Sequence, residues 1–415
     1  MRYWSCSCPL SGRNSPLTAR LAEIRSILET IVGFDTTSSK SNMPMLDWIR
    51  DYLDGLGIES RLAPGADETK ANLYATIGGN GPGGRVGGVA LSGHTDVVPV
   101  AGQPWSSDPF ELTERDGRLY GRGTADMKGF IAIALAMAPA LKAADLKAPV
   151  HFAFSFDEEV GCKGVPHLIE RLGRDLPKPA LVLVGEPTSM RVVDGHKGIA
   201  AMQTTVTGLE AHSSRPHEAV SAVVCALRII GRIEEIVNGL RRAGRTDDGF
   251  TPPWTTFNIG VIEGGSAVNI VPRHCRFDWE FRPIPGVRPE EVLEPLDDYV
   301  RGELLPEMRA VSPDANIETA VTALSPPMQA GAGSPAVALA RKLTGANHTE
   351  KVAYGTEAGL FEEADIPAVV CGPGDIAQAH KPDEFIEIAQ LEAGARYVAR
   401  LVEWAAADGD IAALG

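Results

Sequence analysis

The feature that most constrains the fold of this chain is a change of pattern partway along it. Up to about residue 192, short apolar runs alternate with helix-like stretches. Ala125–Lys142 has helical character, PVHFAFSF (Pro149–Phe156) is a buried strand, and Leu181–Val184 is another. Strands that alternate with helices argue for a mostly parallel or mixed sheet with helices on both faces. Two helices precede this region, Leu17–Val32 with apolar residues at helical spacing and Met43–Leu56 with Pro44 in its first turn.

From residue 193 to 323 the order becomes strand Ile199–Thr207, helix Ala219–Val237, strands Thr255–Ile262 and Arg273–Phe281, helix Pro289–Leu305 and strand Ile317–Ala323. That is β-α-β-β-α-β, an inserted α+β, ferredoxin-like module of about 130 residues. Residues 324–415 return to the first pattern, with a helix over Pro335–Leu343, a strand at Ala368–Cys371 and a closing helix over Gln390–Ala406. The expected division is therefore one domain from 17–192 plus 324–415 and an inserted domain at 193–323. Residues 1–16 read as a disordered or mis-started beginning.

Of the 415 residues, 44% are apolar and 22% charged, and 39 Lys+Arg stand against 54 Asp+Glu, for a net charge of −15. A field of that sign repels nucleic acid and acidic membranes, and no run of ~18 apolar residues offers a membrane span. Six dispersed cysteines with no CxxC pair suit a reducing cytoplasm. The run GGNGPGGRVGG contains GxGxxG at Gly79, Gly81 and Gly84, but a strand follows it where a dinucleotide site needs a helix. It reads as a flexible hairpin loop between strands Asn72–Ile77 and Val86–Leu91, which leaves no basis for a Rossmann dehydrogenase. The lack of a GxSxG elbow argues against a serine hydrolase.

The chemistry sits where strands are expected to end. SGHTDVVP carries His94 and Asp96, GRGTADMKG carries Asp126, SFDEEVG carries Glu158 and Glu159, VGEPT carries Glu186, and GPGDIAQAHKPDEF carries His380. Loops at the carboxyl ends of strands in an open α/β sheet converge on one crevice. Carboxylates gathered there repel one another unless cations lie between them. Imidazole with carboxylate suits Zn²⁺, and also Mn²⁺ or Co²⁺. Five ligands with one shared carboxylate allow two ions about 3.5–4 Å apart, an arrangement used for hydrolysis. No local spacing encodes the set, so it exists only if the fold assembles it. His151, His167, His217, His274 and His348 lack a comparable setting.

These motifs, with AHSSRP and YGTEAGLF in the same order, resemble the M20 family of metallopeptidases from about residue 17 onward. The resemblance implies a co-catalytic dizinc hydrolase with a catalytic α/β domain and an inserted lid and dimerisation domain. His94 and Glu186 would hold one ion, Glu159 and His380 the other, and Asp126 would bridge them. Asp96 would orient His94 through its second ring nitrogen, and Glu158 would be the general acid/base. His212 in AHSSRP would stabilise the oxyanion, within its own subunit or across a homodimer. Asn269 and Arg282 would grip a substrate carboxylate. The implied substrate is a small N-acyl amino acid. YGTEAG and QAHKPDEF, together with His196 and Lys197 in GHKG, favour N2-acetylornithine and arginine biosynthesis. Family members acting on succinyl-diaminopimelate, other N-acyl amino acids or dipeptides are the alternatives, and a non-catalytic metal- or ligand-binding protein is the alternative of another class.

Overall fold

Four apolar runs lie side by side as parallel strands, in the spatial order Val150–Ser155, Val89–His94, Leu181–Pro187 and Ala368–Gly372. Every residue in them is buried, as required when both faces of a parallel sheet are covered. The computed structural model describes residues 14–66, 68–79, 85–407 and 409–414. Most of the N-terminal segment and Gly81 and Gly84 of the glycine run fall outside the described residues. The first helix, Asn14–Val32, begins just inside the segment expected to lack structure.

Period-two alternation divides the strand side chains between two layers. Leu91, Phe152, Phe154, Leu181 and Leu183 pack into one core with helices Asn14–Val32, Met43–Gly55, Lys128–Ala143, Pro335–Thr344 and Ile388–Ala407. Ala90, Ala153, Val182, Val184 and Val370 pack into a thinner layer with helices Val165–Ile169 and Ala358–Glu363.

Antiparallel strands extend the sheet on both sides, Ala71–Ile77 and Ser60–Pro64 on one and Val193–His196 and Met328–Gln329 on the other. The expected hairpin across the glycine run is not formed. Strand Val150–Ser155 lies between the two, antiparallel to Ala71–Ile77 and parallel to Val89–His94. The crossover helix Lys128–Ala143 delivers that later strand to the sheet edge, and Ala71–Ile77 then extends the sheet from there.

Residues 199–325 build a separate four-stranded antiparallel sheet, ordered Thr256–Gly264, His274–Arg282, Ile199–Thr207, Asn316–Ser325. Helix Ala222–Arg242 covers one face, with a second helical stretch that runs Glu290–Tyr299, one π turn at Val300–Leu304, then Leu305–Val311. Phe277, Trp279 and Phe281 enter this second core. The intervening Glu280 and Arg282 therefore project from the opposite face. Among the described residues, no helix is long and apolar enough to cross a membrane.

Candidate metal centre

The parallel strands carry the expected acids and imidazoles to one rim. His94 ends its strand, Glu186 lies near the end of Leu181–Pro187, and Glu158 and Glu159 follow Val150–Ser155 in a turn. Asp126 precedes helix Lys128–Ala143, and His380 lies in the loop after Ala368–Gly372. All six converge. His94 Nε2 is 3.0 Å from Asp126 Oδ1 and 3.8 Å from Glu186 Oε1. His380 Nε2 is 2.9 Å from Glu159 Oε2 and 3.5 Å from Asp126 Oδ2. The two oxygens of Asp126 thus face different imidazoles, one on each side of the carboxyl group.

Glu158 and Glu159 sit in a turn rather than in extended strand. The Glu158 carbonyl accepts from the amides of Gly161 and Cys162, so the chain turns there. Ligand-capable atoms of His94, Glu158 and Glu186 lie within 4.8 Å of one another, as do those of His94, Asp126 and Glu159. The turn is clamped by Asp96, whose Oδ1 accepts from the Glu158 amide and Oδ2 from the Glu159 amide and Ser38 Oγ. Asp96 thus holds the turn as well as standing beside His94. The His94 ring Nδ1–H donates to the Asp96 backbone carbonyl at 2.9 Å, while the Asp96 carboxylate stands at 3.6 Å and is used elsewhere.

That bond fixes the imidazole. A carbonyl only accepts, so Nδ1 carries the proton and a neutral ring aims its Nε2 lone pair at two carboxylates. Such an arrangement calls for a proton or a cation between them. Glu186 Oε1 is buried with no hydrogen-bond partner, another group left for a cation. Burial pushes the carboxyls of Glu158, Glu159 and Glu186 upward. Hydrogen bonds to Asp126 and Glu159 raise His380 to about 10. For His94, burial opposes the charge, but the carboxylates of Glu186, Asp126 and Asp96 outweigh it and raise it. His94, Asp126, Glu159, Glu186 and His380 thus offer the imidazole and carboxylate donors that suit divalent ions.

A cavity of about 470 Å³ opens over this cluster, between the large sheet and the outer face of the four-stranded one. Arg282 lines it, as do Tyr354 of the YGTEAG motif and two residues the sequence did not single out, Glu280 and Lys163. Arg282 Nη2 pairs with Glu280 Oε2 at 2.9 Å. His212 and Asn269 do not line the cavity. They lie together, exposed, where His212 bridges Ile270 and the Ser213 amide donates to the Asn269 carbonyl. His196 is buried, its Nδ1 hydrogen-bonded to the Lys197 carbonyl. Glu357 lies buried beneath the rim, accepting from Ser92 Oγ and Ser155 Oγ on adjacent strands. His151 is structural, paired with Thr76 Oγ1 and the Gly87 carbonyl.

An α/β sheet with a cluster of carboxylates and imidazoles at its strand ends and a second sheet over the opening is an arrangement suited to metal-assisted chemistry. The model of peptidase family M20/M25/M40 matches residues 90–404, and the chain belongs to that family. It is 38% identical to an acetylornithine deacetylase of Myxococcus xanthus over 92% of this chain and 97% of that protein. It is 33% identical to one from Proteus mirabilis, over 90% and 93%. Among solved structures, an M20 family metallo-carboxypeptidase of Sulfolobus solfataricus shares the fold with a TM-score of 0.74 at 20% identity. That match covers 92% of this chain and 99% of that one.

Proposed function

We propose that this chain is a dizinc amidohydrolase that removes the acyl group from a small N-acylated amino acid, with N2-acetylornithine as the favoured substrate and ornithine and acetate as products. The observation that carries the two-ion reading is the division of Asp126, with Oδ1 3.0 Å from His94 Nε2 and Oδ2 3.5 Å from His380 Nε2, while Glu186 and Glu159 stand 3.8 and 2.9 Å from the same two nitrogens. The substrate reading is supported by relatives named acetylornithine deacetylase. The setting would be arginine biosynthesis in the cytoplasm, with residues 17–192 and 324–415 as the catalytic domain and 193–323 as lid.

Ions held by the five ligands would supply Lewis acidity at the amide carbonyl and lower the pKa of water. Glu158 stands within reach of the His94 and Glu186 side of the site. It takes the proton of the attacking water and returns it to the leaving amine. Asp96 holds it there through the clamp on its amide.

The cavity rim alternates in charge: Lys163 and Arg282 are cationic and Glu280 is anionic. Arg282 offers a planar fork for the substrate α-carboxylate. Glu280 then lies beside that carboxylate, where the δ-ammonium of an ornithine derivative would balance it. Assays of acetyl-, succinyl- and dipeptide substrates side by side test the reading, and cleavage confined to succinyl compounds would overturn the acetylornithine assignment. Glu280→Gln should lower kcat/KM for acetylornithine by about tenfold or more while sparing an acetylated amino acid with a neutral side chain. Equal losses on both would reduce Glu280 to an anchor for Arg282.

His212 is exposed in the single chain, and Asn269 beside it is flanked by exposed Val268 and Ile270. We place their action in a homodimer formed through the lid, where a second copy brings them to the cavity. His212→Ala should lower turnover with both ions retained. Unchanged kinetics, or a monomer by light scattering, would refute this.

A further inference from the structure

Behind the ion site lies a buried pair that none of the roles above uses. Arg122 and Glu384 are both 1% exposed, and Arg122 Nη1 meets Glu384 Oε2 at 2.7 Å. A buried ion pair is weak evidence for stability, since well-packed apolar residues often do as well. This one is also imperfect, because Arg122 Nε is buried without a partner. Its remaining bonds indicate what it is for.

On one side, Glu384 Oε1 accepts from the backbone amides of Ala125 and Asp126, at 3.0 and 3.1 Å. On the other, Arg122 Nη1 donates to the Lys381 carbonyl at 3.2 Å, and Nη2 donates to Gln103 Oε1 at 2.6 Å. Gln103 Nε2 donates in turn to the His380 carbonyl at 3.0 Å. Trp105 supports the junction: its Nε1 donates to Gln103 Oε1, and its ring faces the Arg122 guanidinium at 5.0 Å. The chain of bonds therefore starts on the backbone of Asp126 and ends on the backbone of His380.

His380 needs such support. Its φ is +63°, in the left-handed region that a non-glycine residue enters only when its surroundings hold it there. Its side chain is half exposed, in contrast to buried His94. Its ring is held through Nε2 by Glu159 and Asp126, and its backbone by the bonds to the His380 and Lys381 carbonyls.

We propose that Gln103, Arg122 and Glu384 are positioning residues that lock the His380 loop to the Asp126 turn, and that Gln103 sets the affinity of the half-site made by Glu159 and His380. The inference rests on the two-ion reading and goes beyond it by making the two half-sites separately adjustable. Gln103 is the place to test it, because it is half-buried and touches neither ion position nor substrate.

The experiment is calorimetric titration of Zn²⁺ into chelator-stripped protein, first wild type, then Gln103→Met, which keeps the volume and removes both hydrogen-bonding groups, and Gln103→Ala. Wild type should bind two ions. Each variant should lose about 10–100-fold in affinity for one ion, the range for residues that orient metal ligands. The other ion should bind as in wild type, the melting temperature of the stripped protein should change little, and kcat should fall more than KM rises. Two unchanged affinities would overturn the proposal. So would equal weakening of both ions in step with a falling melting temperature, which would mean a general structural role. Fewer than two ions on wild type would instead refute the underlying two-ion reading, and the two failures are distinguishable on that first titration.

Discussion

Glu158→Gln is expected to fold, retain both ions and lose at least ~100-fold in turnover, the low end for acid/base catalysis. The substitution keeps the shape of the side chain and its position at the turn, since the Asp96 clamp acts on the Glu158 amide and not on its carboxyl. It removes one negative charge from a cluster that also holds Asp126, Glu159 and Glu186, so the fold and the five proposed ligands have no reason to suffer. What it removes is the carboxyl proposed to accept a proton from water and return it to the amine. A loss of ~100-fold corresponds to about 2.7 kcal/mol of barrier. Near-normal turnover at full metal occupancy would take Glu158 out of the reaction.

Removal of the ions should abolish activity and make stability depend steeply on pH. Burial raises the carboxyls of Glu158 and Glu159 to about 8 and about 7, and that of Glu186 also rises. A carboxyl whose folded pKa exceeds its unfolded value contributes stability below the ordinary carboxylate range and loses it as pH rises through the folded value. His380, raised to about 10 by Asp126 and Glu159, adds a loss of the same sign at higher pH. The melting temperature of chelated protein should therefore fall steadily between pH 5 and pH 8. Zn²⁺ should reverse that fall, because each ion replaces the protons that the carboxylates would otherwise need. At a thousandfold excess over Kd, one bound ion adds about 4 kcal/mol. A chelated protein with the same melting temperature across that range, and no response to Zn²⁺, would contradict the charge balance described for the site.

The convergence of these acids and histidines was legible in the sequence because two local patterns coincide there. Apolar runs such as PVHFAFSF mark strands, and the acids and histidines that follow them fall at strand ends, where a parallel sheet collects them. The second sheet was legible for a similar reason, since strict alternation along Ile199–Thr207 and His274–Arg282 separates core from surface. What local pattern does not contain is pairing. Ala71–Ile77 and Val89–His94 are neighbours in sequence but accept Val150–Ser155 between them, and only the whole sheet decides that. The same limit hid the buried Arg122–Glu384 pair, whose members are far apart in the chain, and Glu280, which reads as an ordinary polar position on a half-exposed strand. Asp96 does more than the resemblance implied. The resemblance implies a carboxylate beside the imidazole, and the structure adds a nearer backbone carbonyl and a hold on the turn of Glu158 and Glu159.

The central claim is that Asp126 lies between two cations. Diffraction from Zn²⁺-loaded crystals at the zinc absorption edge tests it directly. Two anomalous peaks are expected about 3.5–4 Å apart, one among His94, Asp126 and Glu186 and the other among Asp126, Glu159 and His380. A single peak, or peaks away from Asp126, would contradict it.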